Sequence, residues 1–187
     1  MLKKIILGLS ASLLLSGCST PPYYDVWNMS TSPETTALET KAKQSHLYKS
    51  FYQKPNISVS RKASRNVKES DVEVSIVLSL IHYNLYSYDK GGKYHLYVDI
   101  EDLMVSGGES VYNSGEDIES IPEDVRVELE VSYKVTSEKD EIVFERIIKT
   151  KHQDKTHKTE KTKSIVVEDT FKENYDLFVK NFISENL

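Results

Sequence analysis

The chain has 187 residues, of which 39% are hydrophobic and 28% charged, with a net charge of −5 and one cysteine. That length suits a single domain able to bury a core without a metal or a disulfide, and a lone cysteine rules out an intramolecular disulfide. The acidic balance disfavours nucleic acid as a partner, since phosphate binding draws on clustered lysine and arginine.

Lys3 and Lys4 are followed by a mostly apolar run from Ile5 to Leu15. This is the charged and apolar order of a secretory signal, and it is too short to span a bilayer, which takes roughly 20 apolar residues. The run ends in Leu15-Ser16-Gly17-Cys18. These residues resemble the lipobox of the bacterial lipoprotein class, over residues 1 to 18 and the short tail behind them. The resemblance implies that Cys18 receives a diacylglyceryl group, that the bond after Gly17 is cut, and that the new amino group is acylated. It also implies that Ser19, the residue after the cysteine, permits passage to the outer membrane. Independently of any family, one acyl chain holds a protein only marginally at about 0.8 kcal/mol per buried methylene, whereas two make attachment lasting. The division is therefore a signal peptide over 1–17, a lipidated tether over 18–33 and one domain over 34–187.

The tether is rich in Ser, Thr and Pro, yet it carries Tyr23, Tyr24 and Trp27. Such rings suit either the domain's own surface or the membrane interface, because their bodies are apolar and their tips wet. Thr31-Ser32-Pro33-Glu34 reads as a helix entrance, with Ser32 as N-cap and Pro33 at the first helical position. A helix is expected from about Pro33 to Gln53, with Pro55 stopping it and a short strand following over Asn56–Ser60.

Asp71 to Tyr88 is ambiguous. Val72, Val74, Ile76, Leu78 and Leu80 alternate as a strand would, while Val74, Val77, Leu78, Ile81 and Leu85 suit a helix, and Ser70 with Glu73 has capping-box spacing. The abundance of β-branched and aromatic residues tips the expectation to a strand, with a bulge near Leu80 and a hairpin return over Tyr94–Val105 after Asp89-Lys90-Gly91-Gly92. Ser106 to Glu123 reads as a loop, with a short strand allowed near Ser110–Tyr112, and its length makes it a candidate partner-contacting segment.

Asp124 to Thr136 is the clearest strand. Val125, Val127, Leu129, Val131, Tyr133 and Val135 share one side, with Arg126, Glu128, Glu130, Ser132 and Lys134 on the other; this period predicts a sheet with one wet face. After a turn at Ser137–Asp140, Glu141–Lys151 returns as a partner strand, whose inward set is either Ile142, Phe144 and Ile148 or Val143 and Ile147. The lysine-rich stretch Lys149–Lys163 is read as solvated strand end and loop. From Ser164, Val167, Phe171, Asn174 or Tyr175, Phe178 and Phe182 recur at helical spacing, with Glu168–Lys172 and Asp176–Lys180 pairs opposite. This helix is expected to cover the apolar sheet face.

Chemistry-bearing residues are sparse. His152 and His157 bracket Asp154, but two imidazoles on a mobile stretch supply neither a closed ligand set nor outer support for a metal. His46, His82 and His95 are scattered, and Glu128 and Glu130 share a strand face where solubility explains them. No phosphate loop, nucleophile elbow or nucleotide fingerprint is present, so no metal, cofactor or catalytic residue is assigned. The expected fold is an α+β two-layer sandwich: a mainly antiparallel sheet of four to five strands, with an N-terminal and a C-terminal helix packed on one face. This element order resembles small envelope lipoproteins, among them the lipopolysaccharide-assembly lipoprotein and the auxiliary lipoproteins of ABC transporters. The resemblance implies a non-enzymatic accessory or binding module, anchored in the outer membrane through Cys18, facing the periplasm and engaging an envelope protein. A structural lipoprotein stabilising an envelope assembly is one alternative. A periplasmic hydrolase or metal enzyme built from dispersed histidines and carboxylates is the other.

Overall fold

The computed structural model describes residues 36–88, 92–113, 118–154 and 160–187. In chain order these form α1 (Thr36–Lys43), β1 (Asn56–Val59), a 3-10 turn (Ala63–Arg65), α2 (Glu69–His82), β2 (Tyr94–Asn113), β3 (Ile118–Ser137), β4 (Ile142–Asp154) and α3 (Glu160–Asn186). The strands join in the order β1-β2-β3-β4, with β1 parallel to β2 and the other pairs antiparallel. The class is α+β as expected, with a four-stranded mixed sheet among the described residues.

The alternation of β3 sets the layers. Val125, Val127, Leu129, Val131, Tyr133 and Val135 are all buried, and they meet Leu96, Val98, Ile100 and Leu103 of β2 and Phe144 and Ile148 of β4 in one core. Of the two inward sets open for β4, the structure selects Phe144 and Ile148, and leaves Ile142 and Ile147 each 56% exposed. The choice is made by α3, whose Phe178 stacks on Tyr133 with centroids 4.3 Å apart and meets the edge of Phe144 at 5.7 Å. Phe182 then links Phe144 to Phe51 and Tyr94 at 5.4–5.9 Å, the tilted and edge-on distances at which aromatic pairs gain beyond their burial.

A chain of buried hydrogen bonds fixes α3 in register on the sheet. The Tyr133 hydroxyl donates to Asn174 Oδ1 at 2.7 Å, and Asn174 Nδ2 donates to the Ile148 carbonyl and to Thr150 Oγ1, both at 3.1 Å. Thr150 donates in turn to the Thr170 carbonyl at 3.2 Å. A fully satisfied buried network of this kind specifies one arrangement, since slipping the helix would orphan several groups together.

Three expectations are corrected. The expected strand over Asp71–Tyr88 is the helix α2, so Tyr94–Val105 pairs with β3 instead of with a preceding hairpin arm. Val72, Ile76 and Leu80 are four apart and line the core together with Ser75 and Ser79; burial of that stripe outweighs the strand propensity of its residues. The N-terminal helix stops at Lys43 rather than Gln53. Ser45 Oγ donates to the Ala42 carbonyl and accepts from Leu47 N–H, which competes with the helical pattern. Lys49 then turns left-handed at φ 52°, and Phe51 bonds Leu85 and Ser87. The proposed Ser32 cap and Pro33 lie outside the described residues. Finally, Ser106–Asn113 and Ile118–Glu123 are not loop: β2 and β3 continue as a paired ribbon to Asn113 and Ile118.

Candidate functional site

The sheet face opposite the helices carries the polar side of the β3 alternation. A bulge between Ile100 and Asp102 in β2 changes parity there, so Leu103 points inward and Asp102 and Met104 reach the outer face beside Glu130 and Glu128. On the other flank, register sets Lys149 opposite Glu130 and Lys151 opposite Glu128. Lys149 Nζ lies 2.8 Å from Glu130, Lys151 pairs with Glu128, and Lys62 reaches Asp102 at 2.6 Å from the segment after β1. Asp102, Met104, Glu128, Glu130, Lys149 and Lys151 line a groove of about 290 Å³.

Asp102 and Glu130 face each other across β2 and β3, a like-charge pair that destabilises a sheet when unrelieved. Each takes a lysine, which relieves it. Exposed pairs of this type contribute about 0–1 kcal/mol each, so they set surface pattern more than stability. Asp102 Oδ1 is buried and has no hydrogen-bond partner among the described residues, whereas Oδ2 takes Lys62. The groove thus presents alternating acidic and basic groups at its surface.

The same sheet extends into an arm. β4 pairs with β3 only as far as Val125–Asp154, and β1 pairs only with Tyr97–Ile100, while Gly108–Asn113 and Ile118–Glu123 continue pairing beyond them. At ~3.3 Å per residue this two-stranded ribbon runs about 20 Å past the body. At its root, Gly107 has φ 82°, and a Cβ there would sit 1.8 Å from the Asp124 carbonyl oxygen. Only glycine fits that bulge.

Cys18, Gly17 and Ser19 lie outside the described residues, as does His157. His152 pairs with Glu173 of α3, His95 rests on Tyr52 and His82 on Tyr83, and His46 is exposed. These histidines thus belong to four different parts of the fold, and among the described residues no three His, Cys, Asp or Glu are grouped to hold a metal. Glu128 and Glu130 share a face as their spacing requires. The sequence did not show that Asp102, Met104 and Lys62 would join them, because a bulge and a contact 40 residues apart in the chain leave no local pattern. Among the described residues no helix is long and apolar enough to cross a membrane.

No protein-family model and no curated protein matches the chain. Among solved structures it is similar to a minor lipoprotein from Acinetobacter baumannii at 14% identity and TM-score 0.43, over 73% of this chain and 96% of that one. It is also similar to a Caulobacter crescentus CB15 chain at 8% identity and TM-score 0.45, over 79% and 93%. A Xanthomonas campestris protein assigned to family DUF330 is similar at 10% identity and TM-score 0.48, over 73% and 84%. At these levels the likeness is one of loose backbone course and carries nothing about chemistry.

Proposed function

We infer that this chain is a lipid-anchored cell-envelope lipoprotein whose domain is a non-enzymatic binding or accessory module, held at the outer membrane and facing the periplasm. The observation that carries the reading is the Leu15-Ser16-Gly17-Cys18 step behind a charged and apolar leader. Ser19 next to Cys18 supports outer-membrane delivery. The outer sheet face supports the binding role: Glu128 and Glu130 are already paired to lysines, so the groove offers shape and charge pattern to a partner. Anchoring confines the domain near that partner, and the resulting effective concentration makes modest contacts sufficient.

A photo-crosslinking residue at Met104, compared with one at Glu145 on the exposed part of β4, tests this reading in intact envelopes. The expected result is one discrete adduct from position 104 that is lost on Asp102→Lys with Glu130→Lys. No adduct from either position, together with turnover of a model substrate by the purified protein, would overturn it.

A further inference from the structure

The sheet has two borders of very different length. β1, at one end of the strand order, has four residues, whereas β4, at the other, has thirteen and as a strand pairs with β3 alone among the described residues. Alternate residues along such an edge turn backbone N–H and C=O groups outward with no strand opposite, which is a template for another chain. Helix α3 covers the inner face of β4 at Phe144, Ile148 and Thr150. On the outer face Ile147 is 56% exposed and stands between Glu145 and Lys149, both exposed as well. Natural edges are blunted by charge, short length or proline, and an uncovered isoleucine midway along a long edge is the reverse of that.

The charges on either side of Ile147 are opposite, so the edge is complementary to itself. When two copies of β4 lie antiparallel with Ile147 facing Ile147, Glu145 of each falls opposite Lys149 of the other. The pairing continues the order already present within each sheet, where Lys149 faces Glu130 and Glu145 faces Lys134. A row Glu130, Lys149, Glu145, Lys134 then crosses the junction with every neighbour opposite in sign, and symmetry repeats it. Opposite charges directly across a pair stabilise a sheet and like charges oppose it. Keeping the inner faces together permits slides of two residues at a time. A slide of two sets Ile147 against Lys149 or Glu145, and a slide of four sets Lys149 on Lys149 or Glu145 on Glu145. Of these pairings, the one centred on Ile147 alone matches apolar with apolar and acid with base. On the inner face it sets Arg146 opposite Ile148, and Arg146 is already drawn over its own body, 5.7 Å from the Phe144 ring and 2.7 Å from Glu185.

We propose that β4 is a self-pairing edge, along which a second copy of this chain adds antiparallel over Val143–Lys151 with Ile147 on the two-fold axis. Two four-stranded sheets thereby join into one of eight strands. The contact uses the same patch on both copies, so it closes at a dimer and leaves no β4 edge from which a fibre could grow. A foreign peptide would satisfy the same backbone groups, but it would have to bring the charge order that the second copy already carries. The pairing does not depend on lipid anchoring.

The soluble Cys18→Ala chain starting at residue 18 is expected to sediment as a monomer–dimer equilibrium, with a dissociation constant of about 100 µM or tighter. Glu145→Lys and Lys149→Glu should each sediment as monomers, because each sets like charges opposite one another on both sides of the axis. An equimolar mixture of these two variants should recover the dimer, since every pair across the axis is then opposite in sign. In the same cysteine-free background, Ile147→Cys should form a disulfide-linked dimer under a mild oxidant. Glu145→Cys alone and Lys149→Cys alone should not, whereas a mixture of the two should link. This second measurement does not depend on the charge variants folding. A monomer at every concentration, as expected where another segment of the chain or a foreign strand fills the edge, would overturn the proposal. So would a dimer that both charge variants leave intact, a mixture that fails to associate, or equal linking from positions 145 and 147. In intact envelopes a crosslinker at Glu145 should capture a second copy at twice the mass of the chain, which separates this contact from a partner caught at Met104.

Discussion

Helices α2 and α3 enclose the same core yet present opposite surfaces outward. On α3, Val167, Phe171, Tyr175, Phe178 and Phe182 are buried, and the outer side carries the Glu168–Lys172 and Asp176–Lys180 pairs. On α2 the inner stripe of Val72, Ile76 and Leu80 is flanked by Val77 and Ile81 against the core, and Val74 and Leu78 stand partly exposed on the far side. One helix turns charged pairs outward, and the other turns Val74 and Leu78 outward. The contrast teaches that a helix amphipathic in one direction declares itself in sequence, whereas one apolar on two sides imitates a strand.

The largest test of this contrast is truncation on α3. Phe178→Ala removes the ring stacked on Tyr133 and should cost about 3–5 kcal/mol in chemical denaturation, whereas Leu78→Ala on the outer stripe of α2 should cost less than about 1 kcal/mol by the partial burial it loses. Equal losses would break the comparison. Next comes the polar lock: Asn174→Ala orphans the Tyr133 hydroxyl and should destabilise by about 2–3 kcal/mol, with no change in the far-ultraviolet circular dichroism of the folded protein.

The two buried tyrosines sharpen the comparison further. Tyr133 has a partner in Asn174, whereas the Tyr175 hydroxyl lacks a hydrogen-bond partner among the described residues, as does Ser75 Oγ of α2. Burial pushes both phenols well above their ordinary value of 10. Tyr175→Phe should therefore lie within about 0.5 kcal/mol of the parent or exceed it near neutrality, while Tyr133→Phe should cost about 1–2 kcal/mol by stranding Asn174 Oδ1. The sign with pH follows from the raised folded values. Both phenols stay neutral in either state below pH 10, so their contribution is fully present there; as pH climbs past 10 the unfolded chain ionises first and stability falls by about 1.4 kcal/mol per pH unit for each phenol. Each phenylalanine variant should flatten that alkaline loss by one phenol's share. The smallest effect belongs to the surface of α3, where Lys172→Ala should cost about 0.3–0.5 kcal/mol and lose its salt dependence.

Where the sequence was legible, a single period governed a segment. The alternation of Val125 to Val135 and the stripe from Val167 to Phe182 each point to one face, and both hold in the structure. In α2, Val72, Val74, Ile76, Leu78 and Leu80 alternate in sequence because 72, 76 and 80 line the inside while 74 and 78 line the outside; two helical stripes interleave into an apparent strand. The hairpin arm resembles a loop in sequence because Gly107 and Gly108 signal a turn, yet Gly107 makes a bulge and pairing resumes at Gly108. The inward set of β4 depended on Phe178, a residue more than 30 positions away, and the outer groove depended on strand register. Neither is written in local spacing.

The anchored reading depends on one atom, the Cys18 sulfur. Mass spectrometry of the protein isolated from native membranes tests it most directly. The account predicts an N-terminal peptide that begins at Cys18 and carries a thioether-linked diacylglyceryl group; an unmodified thiol, or a mature chain that begins elsewhere, would contradict it.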